Sequence, residues 1–280
     1  MKLANVSGRA AIVMSGEALD VATASGDRFG PDLVSVYEQW EDFREWAEAA
    51  SGDTTPIDST TLGAPSPMPR QVIAVGANYK VHVADAGFDL PTSPVVFTKF
   101  QSCLTGPNTT VTLPAGNVDW EAELVLIVGR GGFRIPRDQG WDALAGVTVG
   151  QDLSERVSQL AWANPQFSMA KSFPGFGPTG PFLATADEFA DPDDIGIRCD
   201  LNGERRQDFR TNDLAFDVSA IVHEVSKQLT LYPGDVIFTG TSGGCGMLED
   251  PPVFLQPGDE LVTTIDEIGT LTQRFVADGS

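Results

Sequence analysis

The chain has 280 residues, 39 Asp plus Glu against 18 Lys plus Arg, a formal charge of −21, and only 2 His and 3 Cys. That balance leaves no basic footprint for nucleic-acid phosphates and would repel an anionic membrane surface. Two His leave little room for a His-rich zinc or iron site, so any metal would be held mainly by carboxylates.

The length suggests one large domain or two unequal ones at about 150 residues per domain, and 41% hydrophobic residues supply a core. Residues 1–62 read as a small α+β N-terminal domain. Apolar segments at 10–14 and 18–22 suggest two strands around the turn Ser15-Gly16. Val36, Trp40, Phe43 and Ala47 then recur at helical spacing, a single stripe ended near Gly52. The breaker-rich stretch from Gly63 to Pro69 marks a linker over 63–70. From 71 to 280 the chain is β-rich, with strands expected at 72–76, 95–99, 122–129, 146–151, 195–201, 236–239, 260–265 and 271–276. The clearest helix is 217–228, with Asp217 as N-cap, Val218, Ile221, Val222 and Val225 on one face, and His223 on the exposed side. Strands do not alternate regularly with helices, which disfavours a doubly wound parallel sheet. No long apolar run follows Met1-Lys2-Leu3-Ala4-Asn5, and Cys103, Cys199 and Cys245 are scattered. The expectation is a soluble cytoplasmic protein without disulfides.

Two motifs match their patterns without the structure those patterns need. Gly175-Phe176-Gly177-Pro178-Thr179-Gly180 spells a dinucleotide fingerprint, but Pro174, Pro178 and Pro181 prevent the helix that must open there. Gly240-Thr241-Ser242-Gly243-Gly244 spells a nucleophile elbow, yet both His residues precede Ser242 and no helix pattern follows. Ser172 to Pro181 reads as a Gly/Pro-rich loop, and the glycines after Thr239 as a loop near a small-molecule site.

The candidate chemistry lies at Asp119-Trp120-Glu121-Ala122-Glu123, which opens a strand. Alternation places Glu121 and Glu123 on one face, roughly 7 Å apart. Two like charges there either share a cation or simply face solvent at a sheet edge, and spacing alone favours solvent. Asp152 ends a second apolar segment. Arg156 and Gln159 follow on one face of a helical turn, and Lys171 precedes the Gly/Pro loop. Together these residues would suit a hard divalent cation and an oxygen-rich anionic ligand.

Seven segments in order resemble motifs of the fumarylacetoacetate hydrolase family across roughly 70–277. They are Asn78-Tyr79-Lys80-Val81-His82, Asp119 to Leu124, Asp152 with Arg156 and Gln159, and Lys171-Ser172-Phe173 with Gly177 to Pro181. Asn202 to Gln207, Pro233 to Ile237, and Thr239-Gly240-Thr241 complete the series. The resemblance implies an α+β, β-rich fold of the family's mixed-sheet roll or sandwich type with few helices, and a homodimer. It implies Mg²⁺ or Mn²⁺, with Ca²⁺ able to substitute, held by Glu121, Glu123 and Asp152, which reverses the solvent-facing reading. By the same resemblance His82 would activate water, with Asp85 in place of the family's usual Glu, and Lys171 would assist the developing anion. Tyr79, Arg156, Gln159 and Thr241 would bind a small 2-oxo or β-diketo acid. The activity implied is hydrolysis of a C–C bond in acylpyruvate-like acids through a metal-stabilised enolate. A hydratase, isomerase or decarboxylase of the same family is the alternative, and a non-catalytic cation-binding acidic protein the second.

Overall fold

Strand Ala122–Val128 sets the frame, because all seven of its residues are buried, as in a strand covered on both faces. The computed structural model describes residues 1–80 and 91–279. On one side this strand pairs antiparallel with Leu144–Gln151, on the other with Val236–Phe238. Val236–Phe238 then runs parallel to Val72–Gly76, which pairs with the edge strand Val95–Thr98. Beyond Leu144–Gln151 come Gly177–Ala184 and the N-terminal strands Lys2–Val6, Arg9–Met14, Glu17–Asp20 and Thr54–Pro56, all in one 12-stranded sheet. A second, five-stranded sheet runs Glu204–Arg210, Gly196–Leu201, Glu260–Ile265, Gly269–Ala277 and Asn108–Leu113. The fold is thus β-rich with few helices, as expected.

Side-chain alternation decides what each face does. Leu124, Leu126 and Val128 join Val147 and Val149 in one buried cluster with Ile197, Leu261, Leu271 and Phe275 of the five-stranded sheet. Ile127 points the other way, into a cluster with Trp40, Phe43, Tyr37 and Leu33, while Val125 packs with Val72, Val236 and Phe238. The N-terminal helices therefore cover the back of the central strands. Edge-on and tilted contacts among Phe29, Trp40, Phe43 and Trp46 fill that space.

Several expectations need correction. The stripe from Val36 to Ala47 is two helices, Leu33–Glu38 and Trp40–Ala47, broken at Gln39, whose φ of −122° is not helical. The second N-terminal strand stops at Asp20, which caps the short helix Val21–Ser25, and Lys2–Val6 adds an unpredicted strand. The Gly/Pro stretch contains a buried strand, Gly177–Ala184. Its register against Leu144–Gln151 shifts between Val147 and Val149, so Pro181 sits at the irregularity, where a missing N–H removes no regular ladder bond. Asp217 does cap Val218–Ser226, accepting from the Ala220 N–H at 2.7 Å. His223 on that helix is half-buried rather than exposed, with Nδ1 2.7 Å from the Ile135 carbonyl. The three cysteines are buried free thiols. No described helix is long and apolar enough to cross a membrane.

Candidate active site

The paired ends of two central strands assemble the acidic cluster. Glu123 lies opposite Gly150 in the antiparallel register. Pairing continues past the strand end, where the Asp152 N–H donates to the Glu121 carbonyl and the Glu121 N–H to Gln151 Oε1, both at 2.9 Å. The carboxylates of Glu121, Glu123 and Asp152 consequently converge, each offering an oxygen within 4.8 Å of the others. Opposite ligands of one calcium-sized ion, at about 2.4 Å each, lie about that far apart. Gly150 is required beneath them, since a Cβ there would fall 2.3 Å from Val125 Cγ2.

Three buried cations face this cluster. Lys171 Nζ donates to Glu121 Oε2 at 2.9 Å, Asp152 Oδ2 at 2.8 Å and Ser154 Oγ at 2.7 Å. Lys99 Nζ donates to Asp152 Oδ1 at 2.5 Å and to the Lys171 and Phe176 carbonyls. Arg156 spreads its fork over Asp119 at 2.7 Å, Gln159 at 2.8 Å and Glu121 at 2.6 Å. Burial alone would raise the Glu121 carboxyl, but Lys171 and Arg156 outweigh it and hold the group at about 2. Burial likewise opposes charge on Lys171, yet Asp152 and Glu121 raise its affinity for the proton.

Glu123 is the exception. Burial, then the charges of Asp152 and Glu121, push its carboxyl well above the usual range. Its hydrogen bond is to the Gly240 N–H, at 2.7 Å. A divalent cation shared by the three carboxylates would remove that repulsion, and an all-oxygen anionic donor set is what hard divalent ions take. The residues present fit such an ion.

The glycine loop after Thr239 serves this arrangement. Gly240 has a φ of +98°, and a Cβ there would meet the Val75 carbonyl at 2.8 Å. Thr241 Oγ1 donates to the Ala122 carbonyl at 2.8 Å and accepts from Gln207 Nε2 at 2.9 Å. Gln207 Oε1 in turn accepts from the Ala122 N–H at 3.0 Å. The loop is thereby fixed to the strand that carries Glu121 and Glu123.

Glu121, Arg156, Gln159, Lys171 and Thr241 line one cavity of about 310 Å³. Glu123 and Asp152 are buried and hydrogen-bonded to its lining residues Gly240 and Lys171. Tyr79 is not among the described residues lining that cavity: its ring is fully buried, edge-on to Phe209 at 5.0 Å, and its hydroxyl has no partner among the described residues. His82 and Asp85 lie outside the described residues. Sequence reasoning missed Lys99, whose signal was a charge closing the apolar run Val95 to Thr98. It also gave no role to Asp119, which orients Arg156 and accepts from the Met247 N–H at 2.8 Å. Burial drives the Asp119 carboxyl up to about 6 against the pull of Arg156.

Comparison with known proteins agrees with this fold. The chain is 39% identical over 249 residues to the mitochondrial oxaloacetate tautomerase FAHD2B of Bos taurus, a span of 87% of this chain and 79% of the relative. A Mycobacterium smegmatis protein provisionally described as HpcE has a crystal structure that superposes with a TM-score of 0.96 at 52% identity, covering 99% of this chain and 100% of that one. Maleylpyruvate hydrolase from Sphingobium, solved with manganese(II) and pyruvate, gives a TM-score of 0.81 at 28% identity over 99% of each chain. Residues 71–276 match the profile of the fumarylacetoacetate (FAA) hydrolase C-terminal domain, and the chain belongs to the fumarylacetoacetate hydrolase family.

Proposed function

We propose that this chain is a divalent-metal-dependent enzyme that converts a small 2-oxo acid by way of its enolate, with keto–enol isomerisation as the leading reading. The observation that carries it is the convergence of Glu121, Glu123 and Asp152 beside a cavity that Arg156 and Lys171 also line. Mg²⁺ or Mn²⁺ held by those three carboxylates would supply Lewis-acid polarisation of the 2-oxo carbonyl. Lys171 keeps its proton and offers a fixed positive charge where the substrate oxygen becomes negative. Arg156, held by Asp119 and Gln159, is pre-oriented to receive the substrate carboxylate. Gln207 and Ala122 fix the Thr241 hydroxyl, so the wall facing the substrate does not rearrange.

Isomerisation needs only proton transfer at the carbon next to the carbonyl, and the Bos taurus relative carries the name of a tautomerase. Hydrolysis of a C–C bond in an acylpyruvate is the second reading. It is supported by His82 and Asp85 in the sequence, as a pair able to activate water, and by the hydrolase name of the Sphingobium relative. In D₂O, exchange of the C3 protons of a 2-oxo acid reports enolate formation whichever fate follows, and loss of an acylpyruvate reports cleavage. Chelation should abolish both signals and added Mn²⁺ restore them. Turnover that survives exhaustive chelation would overturn the metal-dependent reading, and exchange without cleavage would discard the hydrolase.

A further inference from the structure

Resting on the 2-oxo acid reading, we propose that this site selects acids whose far end is an uncharged alkyl or aryl tail rather than a second carboxylate. The argument counts donors first. Lys171 has three N–H bonds, and all three are engaged, by Glu121, Asp152 and Ser154. Arg156 has five and, among the described residues, uses three, on Asp119, Gln159 and Glu121, which leaves two for a ligand. Two charged N–H groups are donors enough for the two oxygens of one carboxylate. The head group of a 2-oxo acid takes that place, and these are the cations among the described residues lining the cavity. A second carboxylate would find no further cation among those described residues.

Apart from Gln159 and Thr241, the other side chains of the wall are apolar. Val75, Val95, Phe97, Phe167, Met247 and Leu248 also line the cavity, and the Phe97 ring lies 5.5 Å from Lys171 Nζ. Phe97 and Phe167 stack at 5.4 Å with planes 30° apart, a surface suited to an aryl ring or alkyl chain. Val95 is 46% and Leu248 49% exposed, so the apolar wall continues to the opening and a tail can extend along it. A carboxylate placed there loses hydration without gaining a partner, and the net charge of −21 adds a general repulsion of dianions. This departs from the dicarboxylic acids, oxaloacetate and maleylpyruvate, in the names of the relatives.

The test is a series of 2-oxo acids that share a head and differ only in the tail: straight alkyl chains of increasing length, a phenyl group, and carboxylate-ended chains of matching length. Metal-loaded enzyme is assayed by C3 exchange in D₂O, and affinity for the same acids is measured by calorimetry. Each added methylene should raise kcat/KM and affinity by about three- to fourfold until the wall is filled. The carboxylate-ended partner should be weaker by about 100-fold. Leu248→Arg, a change at an exposed position of the opening, should narrow or invert that ratio by supplying the missing cation. Equal or better binding of the carboxylate-ended acids by the unmodified protein overturns the proposal. If no acid exchanges, the enolate reading falls, while the calorimetric order of affinities still decides the tail.

Discussion

Replacing Lys99 by Met keeps the length and volume of the side chain and deletes one buried charge. In the native protein Lys99 and Asp152 both have side chains 0% exposed and lie 2.5 Å apart. The ammonium also satisfies the carbonyls of Lys171 and Phe176, the latter at 3.2 Å. Removing one partner of a buried pair typically costs about 3–5 kcal/mol, because the remaining charge has lost its hydration and its counter-charge together. Lys171 still holds the second oxygen of Asp152, so the loss should stay inside that range rather than exceed it. For a chain of this size about 2 °C of melting temperature follows each kcal/mol, which predicts a fall of about 6–10 °C. Urea unfolding of the metal-free protein should show the midpoint shift at unchanged slope. A loss below about 1 kcal/mol would show that Asp152 is not dependent on a buried counter-charge and would refute the reasoning. A packing effect is separable, since Lys99→Arg should restore much of the loss if charge is what matters.

Glu123→Gln retains an acceptor for the Gly240 N–H and removes a carboxyl whose ionised form burial, Asp152 and Glu121 all oppose. The metal-free variant should be at least as stable as the native protein, while calorimetric titration should show Mn²⁺ affinity lowered by about 100-fold. Native-like affinity would exclude Glu123 as a ligand. Asp20 caps helix Val21–Ser25, accepting from the Thr23 N–H at 2.9 Å, and pairs with Arg9 at 2.6 Å. Its hydrogen bond to Arg9, with those to Thr23, holds the carboxyl below the ordinary 3.8. A depressed acid stabilises the fold above its unfolded value and loses that contribution as the pH falls toward the folded one. Asp20→Ala should therefore cost about 1 kcal/mol at pH 7 in urea unfolding, and progressively less below about pH 4. A cost that grew on acidification would contradict the assigned direction.

Much of this site was legible because its signals are local. Alternation along a strand requires Glu121 and Glu123 to share a face, whatever that strand pairs with. The Asp217 cap and the apolar stripe behind it needed only nine neighbouring residues. Asn202-Gly203 was a readable hairpin turn that went unused; both residues have positive φ, and the chain returns as strand Glu204–Arg210. Other features have no local signal. Gly177–Ala184 is written in residues that disfavour strands, and it is one because Lys2–Val6 and Leu144–Gln151 receive it on either side.

The sequence by itself determined the residue types, an oxygen-rich acidic site in a chain nearly without His, and the strand faces on which they stand. Tertiary structure decided their environment. Lys99 meets Asp152 across 53 positions and Arg156 meets Asp119 across 37. Tyr79 packs edge-on against Phe209, across 130 positions. Periodicity is set by neighbours in the chain, whereas burial and counter-charge are set by residues that only folding brings together. That is why the sequence could name three carboxylates with Arg156 and Lys171, while Lys99, the pairing of each charge, and the apolar wall beside them required the fold.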